Sequence, residues 1–577
     1  MGAIEGGLSW GRPLVLGRLV LAARRLLSWQ FLAFLSLLTG VYIFVAVITL
    51  TGEPGVFTSP DETGNYIITE AFGDTGKLYY ERDYFAEDDL GLAHPRSLLR
   101  YNDRVVLPNS QGLPLFYGAG YAVFGSNVTL VALLLAPLCL FFLYETAALL
   151  MKRRSLLMAI AFFGLGPLLY WFSRPYWNSL GATTFFAGGI YCATRYYYSS
   201  RRADLLWAAA LFSISMLFRY EYVAFVPPFM AIVALQKHGV ARWRHAAREL
   251  ALFGGVTIAL FLLPLIAMSL YIFHEPIVFP TALLGESVTN DSGTHGVMGV
   301  ISLAWSAVLP EGFDPLLVGR NLLRFTFVLT PGLTLLSLAG LALALRSRAL
   351  RLAQIAPLGA LLVYYVFFVG SVDSTYLASG WDISFEASIV RYWLLLYVVM
   401  YFFAVYFLLG VPALLRTIWP SVSPRFAAAA PYALGFVLAA STLPVVWYGW
   451  QGSLDYVYDG REIGENWHDL VVGETEPNAV VYTSGDLTKY FASERNVMIL
   501  PEAAADDEVL AAALAFNMGR VMRYRPVYFI DLGAALRDGN VYLPQLRQAM
   551  AERGLSLEPV EFFERVNRVV RDDPAER

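Results

Sequence analysis

The sequence predicts a polytopic α-helical membrane protein with about eleven transmembrane helices, followed by a small extracytoplasmic α/β domain. Three observations predict it. Of 577 residues, 57% are hydrophobic and only 15% charged, where a soluble globular protein carries about 25% charged residues. Long apolar runs recur, and the even-numbered ones are closed by clustered Lys and Arg. The positive-inside bias produces that alternation when the even runs end in the cytoplasm. Beyond about residue 450, short strand-like runs alternate with helical ones.

The first apolar run, Phe31 to Leu50, is long enough to span a bilayer. Arg12, Arg18, Arg24 and Arg25 precede it and hold the N-terminus in the cytoplasm. The run is too long for a cleavable signal, and no A-x-A-like site follows it. A polar, acidic outer segment covers 51–126. Span 2 is Val128 to Leu150, closed by Lys152-Arg153-Arg154, and span 3 covers 155–173, ending at Arg174-Pro175. Spans 4, 5 and 6 cover 177–198, 203–218 and 222–236, and Arg219 and Glu221 separate the last two. Merging spans 5 and 6 would break the charge alternation. Span 7 (251–273) leads to an outer loop rich in Gly, Asp and Glu. Span 8 (322–345) closes on Arg346, Arg348 and Arg351, and span 9 covers 354–370. Spans 10 (392–415) and 11 (428–450) complete the set. An odd count places the C-terminus outside.

The tail, 451–577, reads as a separate α/β domain behind a membrane domain of 1–450. VVYTS, NVMIL and PVYFID are short buried strands, FFERVNRVVR is a candidate last strand, and 506–520 and 543–554 are helical. Strands alternating with helices predict a largely parallel sheet. No Gly-rich phosphate fingerprint accompanies them. A scaffold or acceptor-docking role suits such a domain.

Composition excludes some functions. A net charge of −4 offers no electrostatic footprint for nucleic acid. The two cysteines, Cys139 and Cys192, both lie in predicted spans and read as apolar filler, so neither a disulfide framework nor a Cys-based metal site is available.

Charge at the outer span ends marks the candidate site, because a charge buried beside lipid is costly without a partner or a purpose. Asp61 and Glu62 emerge just past span 1. Arg174 stands in SRPYWNSL with Asn178 one turn on, Arg219 and Glu221 stand in FRYEY, Arg320 and Arg324 begin span 8, and Arg391-Tyr392 enter span 10. All fall on the outer side. A carboxylate there can deprotonate an acceptor or hold a metal, and guanidiniums suit an anionic lipid head group. The plainer reading competes at every position. Ser59-Pro60-Asp61-Glu62 also reads as a helix cap with an acidic first turn. Each Arg could equally snorkel or form a structural pair. GLPLFYGAGYAVFG (112–125) reads as an interfacial stretch too short to span.

This ordered set resembles the GT-C superfamily of membrane glycosyltransferases, which includes the protein O-mannosyltransferases, the aminoarabinose transferases of lipid A and the oligosaccharyltransferases. The likeness covers about 30–450: span 1, an outer loop opening with PDETGNY, the GLPLFYGAGYAVFG stretch, then SRPYWNSL, FRYEYVAFVPP and VRYW. It implies a sugar donor carried on polyprenyl phosphate and transfer of that sugar, with inversion, on the outer face of the cell membrane. Carried over, Asp61 or Glu62 looks like the base or acceptor-orienting carboxylate, and Arg391, beside Tyr392, looks like a donor-phosphate contact. Arg219 and Glu221 look like cavity-lining residues, with Arg174 and Asn178 beside them. The W-W-D motif of oligosaccharyltransferases is missing, and SGWDIS is only a faint echo of it. That puts whole-oligosaccharide transfer and a divalent metal in doubt. The acceptor remains open among an extracytoplasmic glycan, lipid or protein. The rival readings are a lipid-linked glycan flippase, for which internal repeats and mid-membrane charges are lacking, and a non-catalytic membrane scaffold.

Overall fold

A computed structural model describes residues 29–50, 56–57, 59–82, 85, 88, 90–108, 110–165, 174–276, 315–346, 393–447, 454–483, 487–500, 507–530, 543–560 and 563–572. The described residues through 447 are mostly helical, and those beyond 453 form a mixed α/β unit. Helix α1 is Trp29–Leu50, α2 is Pro60–Thr75 and α3 is Gly112–Phe124. Then follow α4 (Leu135–Met151), α5 (Leu156–Phe162), α6 (Asn178–Ser199), α7 (Arg202–Phe218) and α8 (Val226–His238). Helix α9 (Trp243–Thr257) continues through a π turn to Phe273. Helices α10 (Pro315–Leu322), α11 (Pro331–Arg346), α12 (Leu394–Ile418) and α13 (Pro424–Trp447) complete the bundle.

Among the described residues, three stretches are long and apolar enough to cross a membrane: Gly112–Ala132, Val240–Phe273 and Leu394–Ile418. The bundle's outer side is apolar as well. Ile43, Val47, Leu263, Leu335, Phe436 and Val437 are all at least half exposed, as a surface facing lipid requires.

Two details differ from the sequence reading and a third agrees with it. The stretch read as interfacial joins a short turn and Val128–Ala132, so the apolar unit runs 21 residues. The run read as one straight span 8 is bent by 106° between Val328 and Pro331. Pro331 has no backbone N–H to continue the ladder, and the hydroxyls of Thr330 and Thr334 both bond the Thr326 carbonyl, at 3.1 and 2.9 Å. The separation of spans 5 and 6 appears as a break at Arg219, with the short turn Tyr220–Ala224 between α7 and α8. Span 9 lies outside the described residues.

The segment between α1 and α3, read from the sequence as the first outer segment, folds around α2 and a small antiparallel sheet of β1 (Tyr79–Tyr80), β2 (Leu99–Tyr101) and β3 (Arg104–Val106), in the order β1-β3-β2. The tail opens on α14 (Leu454–Glu474) and holds β4 (Val480–Thr483), β5 (Asn496–Ile499), α15 (Asp507–Val521), β6 (Val527–Ile530), α16 (Leu543–Ala551), β7 (Leu555–Val560) and β8 (Phe563–Arg571). Its five strands run β5-β4-β6-β8-β7. The first three are parallel, with Val480 opposite Asn496 and Val527, whereas β8 and β7 are antiparallel. The sheet is therefore mixed rather than largely parallel.

The tail is docked on the outer segment. Ile499 N–H donates to the Leu92 carbonyl at 2.9 Å, so the loop occupies the free edge of β5. Asp88 is buried, pairs with Arg100, and accepts from Asn517 Nδ2 at 3.2 Å, and Tyr482 donates to Asn517. Apolar side chains of the bundle and of the tail, Leu514 and Met518 among them, share one continuous core.

Candidate functional site

Helix α2 starts where the sequence signals a start. Ser59 is extended (φ −135°, ψ 136°), Pro60 takes the first position, and Asp61 and Glu62 occupy the first turn. There they face the positive end of the helix dipole. The Ser59 side chain makes no capping bond; its carbonyl instead accepts from the N–H groups of Glu62 and Thr63 at 3.2 and 3.3 Å.

The buried side of α2 is mostly polar: Glu62, Thr63, Asn65 and Thr69 accompany Ile68. Apolar burial alone cannot hold such a face, and each polar group needs a partner. Glu62 Oε2 lies 2.6 Å from Nη2 of Arg174, with both side chains buried. Asn65 Nδ2 donates to the Tyr176 carbonyl at 2.8 Å. Ser97 donates to the Pro60 carbonyl. Asp61 is half-buried on the same turn.

The segment Arg174–Ser179 joins this cluster to the next. Asn178 Nδ2 donates to Ser110 Oγ at 3.0 Å, and Ser110 donates to the Phe218 carbonyl. Arg219 donates through Nη1 to Ser179 Oγ at 3.0 Å and through Nε to Glu221 Oε1 at 2.7 Å. Glu62, Arg174, Asn178, Arg219 and Glu221 thus belong to one polar belt. Aromatic rings line it: Phe57, Tyr66 and Tyr176 have mutual centroid distances of 5.2 to 5.5 Å. Arg391 and Tyr392 lie outside the described residues. Their neighbour Trp393 is fully buried and stacks on Phe325 at 5.0 Å.

Two further cations reach the belt with no warning in the sequence. Thr63 Oγ1 donates to the Lys489 carbonyl at 2.9 Å, and Arg96 N–H donates to Thr488 Oγ1 at 3.3 Å. Burial, reinforced by the Arg174 and Arg96 guanidiniums, pushes the Lys489 ammonium down to about 8. Thr63 and Lys489 are 426 positions apart, so no spacing rule could pair them. A further carboxylate, Glu70, stands on α2 itself. Burial holds the Glu70 carboxyl above the ordinary range, partly offset by a 3.1 Å bond from the Tyr121 hydroxyl. Glu70 opens on a cleft of about 320 Å³ between α2 and the tail.

Chemically, the belt offers carboxylates beside guanidiniums and an ammonium, a combination that suits activation of a hydroxyl beside a phosphate. Among the described residues no three His, Cys, Asp or Glu side chains come together to hold a metal ion.

No protein-family profile and no curated protein matches the chain. Among solved structures, the Archaeoglobus fulgidus oligosaccharyltransferase in its apo form is 12% identical, with a TM-score of 0.42 over 86% of this chain and 69% of the other. The archaeal oligosaccharyltransferase AglB from Archaeoglobus fulgidus, in complex with an inhibitory peptide and a dolichol-phosphate, is 11% identical, with a TM-score of 0.47 over 92% and 73%. Likeness at that level settles neither fold nor function here.

Proposed function

We propose that the chain is a polyprenyl-phosphate-dependent glycosyltransferase of GT-C type that moves a single sugar onto an extracytoplasmic acceptor. The observation that carries this reading is the buried polar face of α2, whose acidic turn meets Arg174 at 2.6 Å and, through the 174–179 segment, Arg219 and Glu221. The motif resemblance adds the donor class. The membrane domain of 1–450, the tail of 451–577, the eleven spans and a cell-membrane location with the tail outside belong to the same reading.

The geometry suggests a division of labour. Glu62 is committed to Arg174 at 2.6 Å, so its carboxylate is already engaged. Glu62 therefore positions Arg174, and the half-buried Asp61 is the base. Asp61 takes the proton of the acceptor hydroxyl, whose oxygen attacks the anomeric carbon. The bond from that carbon to the phosphate oxygen breaks, and the configuration inverts. The departing polyprenyl phosphate carries the new negative charge toward Arg174 and Lys489, and the motif resemblance adds Arg391 as a donor-phosphate contact. The acceptor is a glycan, lipid or protein of the cell envelope.

Asp61→Asn tests this. Asn matches Asp in shape but cannot accept the proton, and it gives up only about 0.3–1 kcal/mol of dipole stabilisation in the first turn. Transfer should fall about 10²–10⁴-fold with the protein folded, its melting temperature at most slightly lowered, and donor binding intact. Near wild-type turnover would remove Asp61 as the base and move the search to Glu70 and Glu221.

A further inference from the structure

The tail carries a second concave site, remote in sequence from the acidic turn. A cleft of about 470 Å³ opens between the C-terminal half of α15, the turn from α16 into β7 and the end of β8. Among the described residues, Arg520, Arg523, Arg553 and Arg571 line it, against a single carboxylate, Asp572. Arg523, Arg553 and Arg571 form no ion pair with a carboxylate among the described residues. Like charges gathered in this way repel one another unless an anion joins them. Gly519 keeps the floor open: a Cβ there would lie 3.5 Å from Leu555 and narrow the cleft. At the rim Phe516 is 53% exposed, with the Arg520 guanidinium 5.8 Å from its ring centroid.

We propose that this cleft binds an acidic saccharide. Planar guanidiniums match carboxylates in two-point hydrogen bonds. The exposed Phe516 face offers an apolar platform for the C–H face of a sugar ring. The volume falls within the range of small-molecule sites, about 300–1,000 Å³, and exceeds the need of one phosphate ion. The concave shape, walled by three elements, disfavours contact with a flat lipid surface. The proposal rests on the glycosyltransferase reading only in making this saccharide the acceptor; the binding itself does not depend on it.

Calorimetric titration of the full-length chain in detergent with trigalacturonic acid tests it. Saturable binding is expected, with none for neutral maltotriose and at least tenfold weaker binding of inorganic phosphate. The double variant Arg523→Gln with Arg553→Gln should lose about tenfold or more in affinity. Phe516→Ala should weaken the trisaccharide but not phosphate. If the double variant does not fold, Arg523→Gln alone and Phe516→Ala decide the matter. Asp61→Asn should bind the trisaccharide as wild type does, which separates failure of this site from failure of the transfer reading. Equal affinity in wild type and arginine variants, or phosphate binding as tightly as the trisaccharide, would overturn the proposal. So would arginine-dependent adhesion to phosphatidylglycerol vesicles without trisaccharide binding, which would make the cleft a lipid contact.

Discussion

Glu62 and Arg174 are each nearly sealed from solvent, with side-chain exposures of 5% and 6%. Removing one partner of a buried ion pair costs about 3–5 kcal/mol, whereas replacing both with apolar groups is often near neutral. Glu62→Leu and Arg174→Leu should each lower stability by that amount, and the double variant should recover most of it in thermal melts. A double variant as unstable as the two losses added together would show that the residues do not compensate each other. Lys489 gives a pH signature of its own. Its folded value of about 8 lies below the ordinary 10.5, so the folded chain disfavours the charged form. The cost is fully present below about pH 8 and is relieved as pH rises from there toward the unfolded value near 10.4. Stability should rise over that window relative to Lys489→Met, by at most about 3 kcal/mol and by less where water reaches the ammonium, and the melting temperature should rise with it. Parallel pH profiles of the two chains would refute a buried, titrating Lys489. Most of the belt was legible because isolated charges at span ends stand out against apolar sequence. Lys489 was not, because in the polar tail one more lysine carries no contrast.

At the scale of elements, helices were easier to read than their breaks. Apolar length marked α7, α12 and α13, but the 106° bend before Pro331 depends on where the Thr326, Thr330 and Thr334 hydroxyls turn, and hydropathy does not register that. β7 escaped notice because Glu558 and Pro559 interrupt an apolar pattern; as the edge strand it tolerates both. The antiparallel half of the sheet went unread with it. Helix α3 shows how packing serves the site. A Cβ at Gly112 would overlap the Leu217 carbonyl, so this glycine sets how closely α3 approaches the end of α7, beside the Ser110–Phe218 bond. Gly112→Ala should cost about 1–3 kcal/mol by overpacking and should also slow transfer by displacing Ser110 and Asn178. Gly254→Ala is the control. Its Cβ would meet nothing within 4 Å, and alanine favours a helix, so stability should hold or rise. Equal effects of the two substitutions, read by thermal melt and turnover, would refute the close-approach argument.

For the whole molecule, contacts constrain topology independently of any span count. Leu92 pairs with Ile499, Asp88 with Asn517 and Thr63 with Lys489, so the first outer segment and the tail lie on the same side of any membrane the chain crosses. The number of crossings between them must then be even. The sequence reading places ten there, spans 2 to 11, which is an even number; span 9 lies outside the described residues. On the sequence reading, the basic clusters predict that the shared side is the outside. A cysteine at Tyr524 tests this directly, because Tyr524 is 56% exposed in the tail while Cys139 and Cys192 are buried. In intact cells, Tyr524→Cys should react with a membrane-impermeant maleimide, and the parent chain should stay unlabelled. Labelling only after the cells are opened would put the tail, and with it the acidic turn of α2, in the cytoplasm, and would remove the extracytoplasmic acceptor from the proposed reaction.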